Sequence, residues 1–253
     1  MNGGEPLFRV RGLVKSYGAQ RVLDGVDFDL AAGESFAVLG RSGAGKSVLL
    51  RLLIGLERPD SGTIRFGEDE VTGLSERQLA PVRRRAAMLF QGGALFDSMS
   101  VADNLAFPFR EHRTVPEAEI PERVRELLAK VGLRGIEAKM PADLSGGMRK
   151  RVALARALAL EPDAVLYDEP TTGLDPLTAA SISRLIRDTR HATGAAAIVV
   201  THDVELARRV ADRIAFLDRG RFRFVGRLDE AERSDDPLLG AFLAGREEDA
   251  DVA

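Results

Sequence analysis

Cysteine is absent from this 253-residue chain, which excludes disulfides, thiolate zinc sites, cysteine-ligated iron–sulfur clusters and a cysteine nucleophile. The absence fits a reducing cytosol. No stretch approaches the ~20 apolar residues of a membrane-spanning helix. The longest runs, Ala153 to Leu160 and Ala195 to Val200, fall short of that and sit inside other patterns. Met1 to Pro6 lacks the apolar core of a signal peptide. An excess of one charge is also lacking: 36 Lys and Arg stand against 39 Asp and Glu, for a formal net charge of −3. A nucleic-acid binder concentrates positive charge. The one local exception, Arg83-Arg84-Arg85, reads as a solvated face flanking a strand. A soluble chain with no nucleic-acid partner is expected, any membrane role coming through another protein. Histidine is scarce, at three residues. His112 reads as loop surface and His191 as a polar helix face, whereas His202 directly follows an apolar run ending at Thr201.

What is present is long enough to bury a full core. Residues 8–11, 26–30 and 62–66 alternate apolar and polar side chains between the turn residues Gly12, Gly25, Gly33 and Gly67, and read as half-exposed antiparallel strands. Residues 36–39, 88–90, 165–167, 197–200 and 214–217 are apolar throughout. Helical patterns at 46–55, 177–190 and 203–211 alternate with several of them. Continuous apolar strands alternating with helices predict a parallel sheet covered on both faces. Between about 93 and 160 no strand pattern occurs. Ile120, Val124, Leu127, Leu128 and Val131 share one helical face, and Arg149 to Leu160 is helical again. A helical subdomain inserted into the α/β core is expected there. The tail turns acidic from Asp229, with one short helix over Pro237 to Leu243 and disorder expected from Arg246 to Ala253.

Gly40-Arg41-Ser42-Gly43-Ala44-Gly45-Lys46-Ser47 is a complete G-x-x-x-x-G-K-S phosphate loop, and it lies between an apolar strand and a helix. Its glycines let backbone N–H groups curl around phosphate oxygens while the helix from Lys46 onward points its positive end at them. Val48 follows in that first turn. Lys46 would reach the β- and γ-phosphates and Ser47 would ligate Mg²⁺. The run Ala164-Val165-Leu166-Tyr167 ends in Asp168-Glu169, which places two acids at the C-terminal edge of a buried parallel strand, where ligands of α/β sheets gather. Alone, that is an ordinary strand end. Beside a phosphate loop, Asp168 becomes a direct or second-sphere Mg²⁺ ligand and Glu169 is placed to polarise an attacking water.

Between these stretches stands Leu144-Ser145-Gly146-Gly147-Met148, which resembles the signature motif of ATP-binding cassette (ABC) ATPases. The resemblance runs over roughly residues 7–226, with 227–253 as a C-terminal extension. It implies a phosphate-loop NTPase fold with a mainly parallel core sheet, an antiparallel β subdomain and the inserted helical subdomain. It also implies ATP and Mg²⁺ as cofactors. Tyr17 resembles the aromatic that stacks on adenine, and Gln91 the glutamine that senses Mg²⁺ and water. Gly173-Leu174-Asp175 matches the loop that communicates across the dimer, and His202 the switch histidine that contacts γ-phosphate. Taken singly, Tyr17 would read as packing on a strand face. Asp203 reads as the cap of the next helix. In this family Ser145, Gly146, Gly147 and Met148 of one subunit close on the phosphate loop of another, so a homodimer is implied.

Gly92-Gly93-Ala94-Leu95-Phe96-Asp97-Ser98, the segment Val101 to Pro108, and Met148 where most cassettes carry Gln further resemble the Mla/Mce group of bacterial lipid-transport ATPases. So do Tyr167 to Pro176 and the tail pattern from Ser234 to Leu243. That resemblance implies a membrane permease, an MCE-domain lipid-binding protein and a small cytosolic regulator as partners. The expected location is the cytoplasmic face of the inner membrane. The alternative is the ATPase of an amino-acid or osmolyte importer. DNA-repair cassettes need coiled coils or a basic face, and translation cassettes carry two phosphate loops. A non-hydrolysing module would lack Glu169 or His202, and a kinase would not need the signature.

Overall fold

Two sheets contain the paired strands of residues 5–246, the residues that the structure, a computed structural model, describes. In chain order, β1 (Phe8–Tyr17) and β2 (Gln20–Leu30) form a hairpin, and β3 (Ser35–Leu39) runs into a loop and α1 (Lys46–Leu53). Then β4 (Ser61–Phe66) and β5 (Asp69–Glu70) join the hairpin, and α2 (Glu76–Arg85) leads into β6 (Ala86–Leu89). The helices α3 (Val101–His112), α4 (Ile120–Lys130) and α5 (Gly146–Ala157) follow before β7 (Ala164–Asp168). The chain continues through α6 (Pro176–Thr193), β8 (Ala196–Thr201), α7 (Val204–Val210), β9 (Arg213–Asp218) and β10 (Arg221–Gly226). It ends in α8 (Leu228–Glu232) and α9 (Pro237–Leu243).

The antiparallel sheet has the order β2-β1-β4-β5, and the second sheet the order β10-β9-β3-β8-β7-β6. All pairings from β9 to β6 are parallel; only β10 runs against its neighbour. Every residue of β3, β7 and β8 is buried. The two-residue period of a strand sorts their side chains to opposite faces. Phe36, Val38, Leu166, Ile198 and Val200 meet α1 and the antiparallel sheet, packing with Leu49, Leu50, Phe8 and Phe66. Val165, Tyr167 and Val199 meet the helical layer, packing with Leu105, Val124, Leu128, Val152 and Ile186. Each such side chain contributes roughly 1.5–3 kcal/mol on burial, which is why uninterrupted apolar runs settle in the middle of the sheet. Ala37 and Leu39 instead face Phe216, Ala231 and Leu239, so α8 and α9 close the far end of the core.

The parallel core sheet, the antiparallel strands and the helical stretch between β6 and β7 agree with the sequence expectation, and α9 covers the residues expected for it. Other expectations are corrected. Gly12 and Gly25 do not end strands. They lie inside β1 and β2 at φ of 56° and 76°, where the pairing register slips; a left-handed residue there makes a bulge and the strand continues. α5 starts at Gly146, three residues before Arg149, because Ser145 caps it, its Oγ accepting from the Met148 N–H at 3.2 Å. Arg83 to Arg85 end α2 and are not simply solvated. Arg83 donates to the Ile54 and Gly55 carbonyls at 3.0 and 2.8 Å, closing the end of α1, and Arg85 pairs with Asp163 at 2.7 Å. His112 lies in the last turn of α3, not in a loop. Residues 1–4 and 247–253 lie outside the described residues, so the expectations of no signal peptide and of a disordered end fall largely there. No helix among the described residues is long and apolar enough to cross a membrane.

Candidate active site

Four strands of the parallel sheet end at one edge, and each delivers one of the singled-out segments: Gly40 after β3, Gln91 after β6, Glu169 after β7 and His202 after β8. This is the edge at which open α/β sheets bind ligands. A cavity of about 1290 Å³ opens there, lined among others by Arg41, Ser42, Gly43, Gly45, Lys46, Ser47, Val48, Gln91, Glu169 and His202.

The phosphate loop is shaped for close approach. Gly45 adopts φ +101°, and a Cβ on it would lie 2.9 Å from both Val22 Cγ1 and the Val22 carbonyl oxygen. A Cβ on Gly40 would lie 2.6 Å from the Leu217 carbonyl oxygen. α1 therefore begins without a side-chain cap and without an acid in its first turn, which leaves its amides and positive dipole end for an anion. Lys46 is buried and its Nζ donates to the Gly40 and Arg41 carbonyls at 2.8 and 3.0 Å. Nζ also stands 3.3 Å from Glu169 Oε1.

Glu169 is held on left-handed backbone, φ 46°, with its N–H donating to the Val200 carbonyl at 3.0 Å. Few non-glycine residues adopt that conformation. It aims Oε2 at three donors: His202 Nδ1 at 2.9 Å, Thr172 Oγ1 at 3.2 Å and Thr201 Oγ1 at 3.3 Å. Burial works to raise the Glu169 pKa, but the His202 hydrogen bond and the charges of Lys46 and His202 outweigh it, so the carboxyl is held below its ordinary range. Asp168 is pushed the other way. Burial raises it, the neighbouring Glu169 charge adds to that, and the hydrogen bond from Ser47 Oγ at 2.7 Å only partly offsets them. Two adjacent carboxyls with opposed shifts are the arrangement by which one site separates two tasks.

The remaining expected site residues divide. Among the described residues that line the cavity, Ser145, Gly146, Gly147, Met148 and Asp175 do not appear. Ser145 and Gly146 are exposed at the N-terminal end of α5, whose first turn carries no acid. Asp175 caps α6, accepting from the N–H groups of Leu177 and Thr178 at 3.1 and 3.0 Å. Asp203 caps α7, as expected. Tyr17 does not line the cavity either. It is 46% exposed at the end of β1, with its hydroxyl bonded to Glu57 and Lys15 Nζ 5.2 Å from the ring centroid. Gly147 has a reason inside the chain: a Cβ on it would lie 2.6 Å from Thr178 Cγ2 at the start of α6. Gly147→Ala is therefore expected to cost ~1–3 kcal/mol by overpacking, and thermal melts should show Thr178→Ala restoring much of the loss. An unchanged melting temperature in the single variant would contradict this packing.

Residues 23–172 match the ABC transporter family. The chain belongs to the ABC transporter family. The cassette is 46% identical to "Probable ribonucleotide transport ATP-binding protein mkl" of Mycobacterium leprae, over 94% of this chain and 68% of that protein. It is 41% identical to "Intermembrane phospholipid transport system ATP-binding protein MlaF" of Haemophilus influenzae, over 94% of this chain and 90% of that protein. It is 43% identical to "Methionine import ATP-binding protein MetN" of Bordetella avium, over 85% of this chain and 60% of that protein. The cassette thus spans about two thirds of the mkl relative's length, less of MetN and most of MlaF. Among solved structures, a dimeric ATP-binding cassette in a post-hydrolysis state bound to ADP and Pi superposes with a TM-score of 0.81 at 29% identity, over 87% of this chain and 98% of that one. Binding and hydrolysis of ATP are the chemistry of the cassette.

The sequence reading missed Thr172 and Thr201, which orient Glu169, and Lys150. Lys150 on α5 is buried, its Nζ bonded to the Gln91 carbonyl, and burial lowers its pKa. A signal for it existed: Ala153 and Leu154, at i+3 and i+4 on the same helical face, are apolar, which places Lys150 on the inward side of the helix. Nothing in the sequence pattern pointed to Phe242 to Arg246, at the end of α9 and just after it, as part of the lining of this cavity.

Proposed function

We propose that this cassette is the ATPase subunit of a lipid transporter of the Mla/Mce type, moving phospholipid or another lipid between membranes. It would work as a homodimer beneath an integral membrane permease, at the cytoplasmic face of the inner membrane. An MCE-domain lipid-binding protein and a small cytosolic regulator would complete the assembly. The observation that carries the reading is the similarity to MlaF, 41% over 90% of that protein. The residues of the 92–108 segment also form a built surface beside Gln91. Buried Asn104 fastens it, donating to the Phe96, Met99 and Ser100 carbonyls and accepting from the Phe96 N–H. Phe96 and Phe107 pack with tilted rings, centroids 4.9 Å apart, while Phe90 and Phe96 stay partly exposed, an apolar surface suited to a permease. The 93–160 helices would act as a subdomain that carries this surface, on an ATPase domain spanning 7–226 with 227–253 as an extension.

In this reading Glu169 is the general base for the attacking water, and His202 holds Glu169 and contacts γ-phosphate. Lys46 and the amides from Gly40 to Val48 bind and stabilise phosphate charge, and Tyr17, which lies outside the cavity lining, would stack on an adenine that projects from it. Mg²⁺ fits the donors present: Ser47 and Asp168 stand 2.7 Å apart and Gln91 lines the same cavity. Among the described residues no cluster of three acids, histidines or cysteines forms a cage of its own. Mg²⁺ characteristically binds through one or two protein oxygens plus substrate phosphates. When bound it neutralises phosphate charge, and it would offset the cost of a buried, ionised Asp168. Ser145, Gly146, Gly147 and Met148, with Asp175 nearby, complete the cavity of the second copy.

The methionine-importer relative favours the second reading, an ATPase of an amino-acid or osmolyte importer. Purifying the cassette with its membrane partners and analysing bound lipid and partner chains separates the two. Phospholipid and an MCE-domain protein are the expected result. Recovery of a substrate-binding protein for an amino acid, with ATPase activity stimulated by that amino acid, would replace the lipid reading.

A further inference from the structure

The loop that follows β6 is fastened along one face of α5 at three successive points. Lys150 Nζ donates to the carbonyl of Gln91. One turn on, Ala153 Cβ sits where a Cβ on Gly93 would approach to 3.4 Å. Arg156 then donates to the Ala94 carbonyl at 2.7 Å, with weaker reach to Gly93 at 3.4 Å, and lies over the Phe96 ring at 5.3 Å. Positions 150, 153 and 156 share a face because side chains three apart are neighbours on a helix. The contact at Gln91 is the costly one. A buried ammonium loses its hydration, and such groups persist where partners compensate them. Here the compensation is one backbone carbonyl plus the negative charges of Asp168 and Glu169. A glutamine side chain cannot be aimed from a loose backbone, and Gln91 is itself exposed. Its direction into the cavity therefore depends on what holds its main chain.

We infer that Lys150 is a positioning residue for hydrolysis: by holding the Gln91 carbonyl, it makes the signature helix α5 of a cassette set the place of Gln91 in that cassette's own nucleotide cavity. α5 begins at Ser145 and Gly146, which lie outside that cavity, and reaches the Gln91 loop one turn later. Movement of the helix end that meets a second copy would thus reach the first copy's Gln91 through α5, with the Lys150 bond as the contact made to Gln91 itself. The inference rests on the assignment of Gln91 to Mg²⁺ and water.

The test uses the full chain with Lys150→Met, which keeps the stem and removes the donor, and Lys150→Arg, which keeps a donor. Amide hydrogen exchange of residues 90–96 without nucleotide is the first readout: Lys150→Met should speed it there and Lys150→Arg should not. Mg-ATPase kinetics are the second. Lys150→Met should lower kcat by about 10–100-fold, the usual effect of losing an outer-shell support. The KM for ATP should change little, the Mg²⁺ requirement should rise, and Lys150→Arg should recover most of the loss. Because Lys150 acts through Gln91, Lys150→Met in a Gln91→Ala background should cost nothing further. If the methionine variant does not fold, Lys150→Gln, shorter than lysine, replaces it. Full additivity in the double variant, or unchanged exchange and kcat in Lys150→Met, overturns the role of Lys150 alone. Wild-type kinetics in Gln91→Ala overturn the assignment of Gln91 and the inference with it.

Discussion

Replacing Glu169 with Gln is expected to lower ATP turnover by about 10²–10⁴-fold, the range a positioned general base supplies, while ATP remains bound. The variant keeps the size and the left-handed placement of the side chain. It loses the negative charge that Lys46 at 3.3 Å and His202 at 2.9 Å hold in its ionised form. An amide cannot accept a proton from water. Nothing in the substitution weakens phosphate binding, because Lys46 and the loop amides remain and Lys46 is freed of its carboxylate. A closed, ATP-bound dimer should therefore accumulate, visible by size-exclusion chromatography with retained nucleotide. The pH dependence follows with a definite sign. The Glu169 carboxyl is held below the usual carboxylate range, so on acidification it takes up its proton at lower pH than an ordinary glutamate. The base function is lost as pH falls through that depressed value, whereas the stability Glu169 contributes to the fold is full above the ordinary glutamate range and declines from there down to the depressed value. Near-normal steady-state turnover in Glu169→Gln would remove Glu169 from the role of base.

Lys46→Ala and Gly146→Asp are each expected to abolish hydrolysis, one from inside the cavity of its own copy and one from outside it. Lys46→Ala takes away a buried cation in the phosphate loop, and loss of one preorganised charge partner typically costs ~10²–10³-fold in rate, here with weaker nucleotide binding as well. Arginine should not substitute, since the Gly40 and Arg41 carbonyls close on Nζ at 2.8 and 3.0 Å and leave no room for a planar fork. Gly146→Asp touches nothing in its own cavity. Gly146 is exposed at the first position of α5, and an aspartate there suits the helix dipole, so the fold should hold. An added Cβ meets only the end of Leu174, at 3.3 Å. The new carboxylate is harmful only if that helix end faces the phosphates of a second copy. Wild-type hydrolysis in Gly146→Asp would mean that a single copy holds a complete site.

The residues that proved readable in the sequence are those whose chemistry is contiguous. Gly40 to Ser47, Asp168-Glu169 and His202 each sit at the end of an apolar strand, and a parallel sheet must bring such ends to one edge. α9 was readable because Asp236 and Pro237 open it with the residues that start helices. Functions that depend on a distant partner were not readable. Gly147 is small for Thr178, Lys150 is buried for the Gln91 carbonyl, and Thr201 turns toward Glu169 across neighbouring strands. Asp175, matched in the sequence to a loop that communicates across a dimer, also has a role within the chain, where it caps α6. Gly12 and Gly25 misled for a local reason: a glycine in a bulge and a glycine in a turn have the same sequence signal, and only the pairing of β1 with β2 separates them.

The proposal that each nucleotide cavity is completed by another copy is tested most directly by mixing. Purified Lys46→Ala and Gly146→Asp cassettes, each inactive alone, are combined and assayed for Mg-ATPase activity. In a twofold dimer of one copy of each, one cavity carries both lesions and the other carries neither. Random pairing then restores up to about a quarter of wild-type activity. Recovery that rises with the mixing ratio and peaks near equal amounts is the expected result. A mixture no more active than its two components would contradict a site shared between copies.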